Sequence, residues 1–386
     1  MKKESTSLGS LEFSLTNLDD FSIKEELTNT ISSGPYSSTK IAMHNDSGEI
    51  YAVRTIAIEL NEEKESLFKN ICGELVKMQY PCMLSVSFVI FPDKKRDIKA
   101  AICTPYTKYN SLKDLLLRLV NGEYLDNWDS TQQLLLLYGV IRYLDCLHRD
   151  FMVHGRLKTT NILLNEKRQP LVADPLLYQL DQDLLPLEAE KKPLDYVISL
   201  APEILKGEKI TKYTDIFSFG IVALQVLTHQ INVYQTSKTS DIIEMILKGQ
   251  KPQIPNDIQQ SIASLIEKCL SLNPEERPST REIIKELEIE LSNEHLYDVN
   301  LFSEFKQLIN NEDDIIDPKV AIYKKEADNG DVEMMYAYGR ARCLGEGCMK
   351  NIKEAMKYLR YATQKKHTSA QELYSLLTEN KTVSEI

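Results

Sequence analysis

The stretch LHRDFMVHGRLKTTNILLN, Leu147 to Asn165, contains two candidates for one role. The first is the triplet His148-Arg149-Asp150, and six residues later comes His154-Gly155-Arg156. Register separates them. Five residues beyond Asp150 stands Gly155, which has no side chain. Five residues beyond Arg156 stands Asn161, with Lys158 between them. The polar groups that could converge on one point therefore belong to HGRLKTTN. LHRD reads as the end of the preceding helix, its spelling a coincidence, with Asp150 as a surface residue.

Outward from that stretch, the totals are those of a globular chain. With 386 residues, 42% hydrophobic and 27% charged, the sequence is long enough for two or three domains. A net charge of −11 argues against nucleic-acid binding, because no basic excess is available for phosphates. Cys72, Cys82, Cys103, Cys146, Cys269, Cys343 and Cys348 are scattered singly, so neither a disulfide framework nor a zinc site is expected. The first residues carry lysines without an apolar core, and the longest uncharged run, 78–92, is too short and mixed to span a bilayer. No membrane association and a cytoplasmic location are the expectations.

Residues 20 to 100 read as short β-type runs around one helix. EIYAVRTIAIEL is rich in β-branched residues and follows the turn signal NDSG. In EKESLFKNICGELVKMQ, Leu67, Phe68, Ile71, Leu75 and Met78 recur at helical spacing. Helices then dominate. DSTQQLLLLYGVIRYLDCLHRD opens on an Asp-Ser cap, and DIFSFGIVALQVLTH is apolar almost all round, as a buried central helix would be. STREIIKELEIEL opens on a capping box, Ser279 with Glu282. NNEDD reads as a linker or solvated loop. Beyond it Tyr336, Gly339, Ala355, Tyr358 and Ala362 recur at helical spacing around the turn residues Gly345 and Gly347. This resembles a paired-helix repeat of the Sel-like kind, related to tetratricopeptide repeats.

The landmarks YAVR, CTPYTKYNSL, HGRLKTTN, VADP, SLAPEIL, YTDIFSFGI and NPEERPS follow one another at the intervals of a eukaryotic protein kinase. In flavour the sequence is similar to the tyrosine-kinase-like serine/threonine group. The resemblance implies an α+β, bilobal protein-kinase-like fold over residues 20–290, with a small lobe at about 20–105 and a large lobe at about 106–290. A linker over 291–316 and an all-α paired-helix repeat module over 317–380 would follow.

It also assigns the residues of a nucleotide cleft. Asp174 of VADP and Asn161 match the two magnesium ligands, both oxygen donors of the right kind. Ala52 and Leu163 would sandwich an adenine, Thr104 falls at the gatekeeper position, Pro105 keeps a hinge carbonyl, and Thr107 keeps a hinge N–H. His154 anchors the loop. Glu203 and Arg277 match the pair that ties the activation segment to the large lobe. Asp215 matches the buried helix-start Asp that holds the loop backbone, and also suits an N-cap.

Other positions depart from the pattern. Arg156 replaces the catalytic Asp, and a guanidinium stays protonated and cannot accept a proton. Gly155 replaces the Arg before it. The strand lysine is Arg54, a planar fork in place of a compact ammonium. Its helical Glu partner falls on Ile71, with Glu74 one turn on as a compensating candidate. Of three expected loop glycines only Gly34 remains, between Ser32 and Ser37, whose Cβ atoms limit backbone approach. Pro175 and Leu176 replace the Phe and Gly after Asp174.

The expectation is a catalytically impaired kinase, a pseudokinase, that binds ATP with magnesium if the cleft still accepts it. It would act as a scaffold or allosteric partner of other proteins through its lobes and its helical repeats. One alternative is an active but atypical serine/threonine kinase, with Arg156 stabilising transition-state charge. Another is an adaptor working mainly through the repeats. Tyr178, Tyr196 and Ser199 are hydroxyls of the activation segment.

Overall fold

The structure is a computed structural model that describes residues 21–23, 32–34, 37–56, 60–93, 98–126, 128–180, 189–312, 318–346, 348 and 351–378. Six strands form one antiparallel sheet: β1 (Phe21–Ile23), β2 (Ser32–Gly34), β3 (Ser37–His44), β4 (Ile50–Ile56), β5 (Phe88–Ile90) and β6 (Ala101–Pro105). Their order is β1-β3-β4-β6-β5, with β2 paired to β3. Alternation in β4 turns Tyr51 and Val53 into a core shared with Ala42, Ile90, Ala101 and Cys103. The helix α1 (Glu62–Lys77) follows β4 and buries Phe68, Ile71 and Leu75. Three glutamates in its first turn complement the helix dipole.

The next part of the chain is helical: α2 (Leu112–Val120), α3 (Ser130–Arg149), α4 (Leu194–Val197), α5 (Pro202–Leu205), α6 (Lys212–Thr228), α7 (Thr239–Leu247), α8 (Gln260–Cys269) and α9 (Thr280–Leu291). One short hairpin interrupts them, β7 (Ile162–Leu164) with β8 (Pro170–Val172). Asp129 caps α3 by accepting from the Gln132 N–H at 2.9 Å. Ser279 and Glu282 form the expected capping box at α9. Helix α6 is buried along nearly its whole length, as its largely apolar sequence favours. Its cap is Thr211 rather than Asp215, which lies inside the helix. That frees the Asp215 carboxylate for other work.

Two compact units result. The first takes the sheet and helices up to Ser303, apart from two short segments. The second holds those segments, Lys77–Pro81 and Arg149–Phe151, together with Glu304 onward. In the second unit the Tyr80 hydroxyl donates to Asp150 at 2.5 Å, so Asp150 serves a structural contact.

The 291–316 stretch differs from its reading as a linker. Helix α10 (Val299–Glu312) occupies most of it. Phe302 packs edge-on against Tyr138 with ring centroids 5.4 Å apart, and Phe305 and Ile309 of the same helix are buried with it. The sequence carries the two aromatics as FSEF, three apart.

Helices α11 (Pro318–Asp328), α12 (Val332–Leu344), α13 (Ile352–Gln364) and α14 (Thr368–Thr378) pack in succession. Gly339 makes the close approach of α12 and α13 possible, since an added Cβ would lie 2.8 Å from Leu359. Tyr338 and Tyr358 meet edge to face at 4.7 Å. Arg342 and Tyr338 both engage the Glu354 carboxylate, at 3.0 Å each. Asp331 caps α12, and Gly345 ends it in the left-handed conformation, with φ of 78°. Gly347 lies outside the described residues. All seven cysteines are buried, and none forms a disulfide.

Candidate functional site

Sheet pairing brings the first residues together. Ala52 and Arg54 alternate along β4, and Ala52 stands opposite Thr104 in β6. Pro105 pairs with Tyr51, and Gly34 stands opposite Ser37 in the β2–β3 hairpin. From the helical side, the β7–β8 hairpin carries Leu163 and leads into Ala173 and Asp174. A cavity of about 490 Å³ opens between these elements. It is lined by Ala52, Arg54, Thr104, Thr107, Arg156, Lys158, Asn161, Leu163 and Asp174, all anticipated from the sequence. Pro105 and His154 are not on its wall. The Thr107 N–H has no acceptor among the described residues, so a hinge donor is available.

The loop 154–161 is held by one buried carboxylate. Asp215 accepts from the His154 N–H, the Gly155 N–H and His148 Nε2, each at 2.8 Å. So His148 is more than a coincidence of spelling: the end of α3 contributes the third ligand of Asp215. The fully buried His154 ring accepts from the Arg156 N–H at Nδ1, 3.1 Å away, and faces the Ala173 carbonyl with Nε2 at 2.9 Å. That pattern fits the neutral Nε2–H tautomer, and burial pushes the imidazole pKa down. Asn161 braces the loop further, its amide donating to the Arg156 carbonyl at 2.9 Å.

Gly155 has φ of 73°, and an added Cβ would sit 2.2 Å from the Tyr178 ring. The aromatic ring of the activation segment therefore occupies the space where a side chain at 155 would emerge. Glu203 and Arg277 form the predicted buried pair, two parallel bonds of 2.7 and 2.8 Å. The guanidinium also donates to the carbonyls of Tyr213 and Ser271 at 2.8 and 2.9 Å.

Charge in the cavity is predominantly positive. Arg54, Lys113, Arg156, Lys158 and Lys192 line it against Asp114, Asp174 and Asp195. Burial pushes the Lys158 ammonium down to about 8; Asp195 opposes this, and Arg54, Arg156 and Lys113 add to it. Burial, and then Arg156, lower the Arg54 guanidinium to about 10. Arg54 forms an ion pair with Asp174. Ile71 is buried at the helical position where a Glu is expected, and Glu74 is exposed rather than turned inward to replace it. Asp174 and Leu176 both have positive φ, 64° and 66°, so VADPL makes a sharp turn at the cavity edge.

The two residues that the sequence suggests as magnesium ligands each make a contact within the protein. The Asp174 carboxylate is neutralised by a protein cation, and the Asn161 amide nitrogen braces a backbone carbonyl. A hard divalent ion needs free oxygen donors: the Asn161 Oδ1 remains one, because the amide donates through its nitrogen, while Asp174 would share its carboxylate with Arg54.

Sequence reasoning missed the third wall. Lys113 binds Asp195 at 3.1 Å, and the Lys158 ammonium lies 5.1 Å from the Tyr196 ring centroid. Lys192, Pro193 and Tyr196 line the cavity beside them. The buried Tyr196 and Thr160 hydroxyls have no partner among the described residues. Only the position of Lys192, Pro193, Asp195 and Tyr196 after VADP hinted at a place near the site.

Comparison with known proteins agrees with the geometry. The model of the family described as protein tyrosine and serine/threonine kinase matches residues 26–287. The putative serine/threonine-protein kinase/receptor R831 of Acanthamoeba polyphaga mimivirus is 30% identical over 204 residues, 52% of this chain and 12% of that protein. The serine/threonine/tyrosine-protein kinase HT1 of Arabidopsis thaliana is 26% identical over 243 residues, 61% of this chain and 59% of the relative. The dual specificity protein kinase shkA of Dictyostelium discoideum is 34% identical over 142 residues, 35% of this chain and 26% of the relative. The chain spans less than two thirds of the length of each. Among the described residues, no helix is long and apolar enough to cross a membrane.

Proposed function

Because the chain belongs to the protein tyrosine and serine/threonine kinase family, we propose that it is a catalytically impaired member, a pseudokinase, which works as a scaffold or allosteric partner of other proteins. One observation carries the reading: Arg156 lines the cavity at the position from which a carboxylate would take the acceptor hydroxyl's proton. A permanently protonated group cannot do this. Loss of a general base alone costs roughly 10²–10⁴ in rate. Two further features act in the same direction. Arg54 is committed to Asp174 in place of a helical glutamate, and the Tyr178 ring covers Gly155.

The intact framework supports a retained signalling fold. Asp215 still organises the loop, and Glu203 with Arg277 still ties the segment after the cavity to α6 and its neighbours. Transfer of labelled phosphate from ATP to a generic peptide is the test, with purified full-length protein and Asp174→Ala as control. The expected result is no transfer above the Asp174→Ala background. Turnover in the usual kinase range of about 1–100 s⁻¹, abolished by Asp174→Ala, would refute the reading.

The competing reading, an atypical serine/threonine kinase, is favoured by Arg156 lining the same cavity as Asp174, where it could steady transition-state charge. The same assay decides between them. Helices α11 to α14 support a Sel-like module as a second protein-binding surface, since Gly339 and the small residues Ala355 and Ala362 allow the close helix packing such units need.

A further inference from the structure

We propose that the corner between α3 and α6 is an acid-sensitive latch: protonation of His229 releases Trp128, and with it the turn that joins α2 to α3. Its parts are His229, which follows the last residue of α6, Trp128, which stands just before α3, and Gln133 in the first turn of α3. None of the three lines the cavity, so the inference is independent of the reading given to that site.

Two N–H donors converge on one ring nitrogen. Trp128 Nε1 lies 3.3 Å from His229 Nε2, and Gln133 Nε2 lies 2.9 Å from the same atom. An indole N–H can only donate, so Nε2 is the accepting nitrogen and the neutral ring carries its proton on Nδ1. The two partners differ in what they can do next. Gln133 has a carbonyl oxygen beside its amide nitrogen, so a half-turn of the amide presents an acceptor to a protonated Nε2. Trp128 has no such alternative. A proton on Nε2 therefore sets the indole N–H against another donor. Trp128 and Gln133 are only 9% and 8% exposed, and a buried N–H left without an acceptor is costly. Moving the indole out to water removes that cost. Little else holds the turn 121–128: Leu125 is buried, the Arg168 side chain donates to the Asp126 carbonyl, and Tyr124 is exposed.

The surroundings set the direction of the response. His229 ends α6 with φ of 56°, where the helix dipole favours a cation. Burial opposes this and prevails, pushing the imidazole pKa down. The charged side chains on the neighbouring segments are Asp126 and Asp129 before α3, and Lys167 and Arg168, whose carbonyls accept from the Gln132 amide. Asp126, Asp129 and Lys167 are exposed, and the Asp129 carboxylate accepts from the Gln132 N–H. Helix α6 itself carries no charged residue after Asp215. Burial, not one of these charges, is the cause of the His229 shift. A group with a depressed folded pKa contributes stability that is complete above its unfolded value, about 6.5 for histidine, and is lost as pH falls through the folded value. The latch is thus closed at neutral pH and opens in mild acid.

Trp128 is the chain's single tryptophan, so its signals report on this corner alone. The test follows the indole N–H resonance and the fluorescence of the isotope-labelled full chain from about pH 7.5 to about pH 5, with far-UV circular dichroism as a check on the fold. A one-proton transition is expected, with its midpoint below about 6.5. Through it the emission moves to longer wavelength and the indole resonance shifts, while the circular dichroism stays constant. His229→Gln keeps an accepting oxygen but cannot titrate, so it should abolish the transition and preserve the neutral-pH signals. Indole signals that do not change with pH, or that change only where the circular dichroism is lost, would overturn the proposal. So would a transition that persists in His229→Gln, because another of the six histidines or a carboxylate would then be its source. The pH course of the unaltered protein decides the first point whatever the variant does. Should His229→Gln misfold, Gln133→Leu assigns the proton: it removes the acceptor for the imidazolium, so the midpoint should fall, and an unchanged midpoint would refute the latch.

Discussion

Replacing Gly155 by Ala should destabilise the first unit by an amount set mostly by one ring. Two costs add. The backbone at 155 has φ of 73°, and an L-residue held there costs roughly 1–2 kcal/mol. The new Cβ would also lie 2.2, 2.6 and 2.8 Å from three Tyr178 ring atoms. Normal carbon–carbon contact is about 3.5–4.0 Å, so the ring must retreat by roughly 1.3 Å or more. Forcing such a shift in a packed site costs roughly 1–3 kcal/mol. Against this, alanine restricts the unfolded chain and returns about 0.4–1 kcal/mol. The net expectation is a loss of roughly 2–4 kcal/mol. Urea unfolding measures it, with an unchanged m value showing that the unfolded state is comparable.

The decisive control is Tyr178→Ala. In that background the Gly155→Ala cost should fall to the backbone part, about 1 kcal/mol, giving a coupling of roughly 1–3 kcal/mol between the two positions. Equal costs in both backgrounds would refute the packing argument, and with it the claim that Tyr178 is what excludes a side chain from position 155. The same logic explains why the Arg usual at this place in the family could not be restored alone.

Glu203→Gln leaves Arg277, fully buried beneath α5 and α6, without its counter-charge; breaking such a pair costs about 3–5 kcal/mol, read as a lowered urea midpoint, and a loss under 1 kcal/mol would contradict it. Gly339→Leu should wedge α12 from α13, so amide exchange across 318–378 accelerates while that of α3 and α6 is unchanged; acceleration throughout would show that the helical module does not open by itself.

Much of the fold was legible because local patterning and tertiary demand agree. The apolar alternation of EIYAVRTI is the sheet core, and DIFSFGIVALQV is buried because it is apolar almost all round and its Asp215, Ser218 and Gln225 find hydrogen-bond partners inside. Capping at Asp129 and Ser279 was readable for the same reason, since a cap acts within one turn of its own residue. The 291–316 segment was misread because its polar surface resembles a loop. Its buried face is Phe302, Phe305 and Ile309, and Tyr138, against which Phe302 packs, is distant in sequence.

For the site, the sequence by itself determined residue types: a cation at Arg156 in place of a proton acceptor, a glycine at 155, an arginine on β4 and an isoleucine where its partner would stand. These follow from order and spacing along one chain. Only the tertiary structure decided which charges meet. Arg54 turns to Asp174, Lys113 to Asp195, His148 to Asp215, and Tyr178 onto Gly155. Each joins segments far apart in the chain, and pairing of that kind depends on distance in space, which spacing along the sequence does not encode.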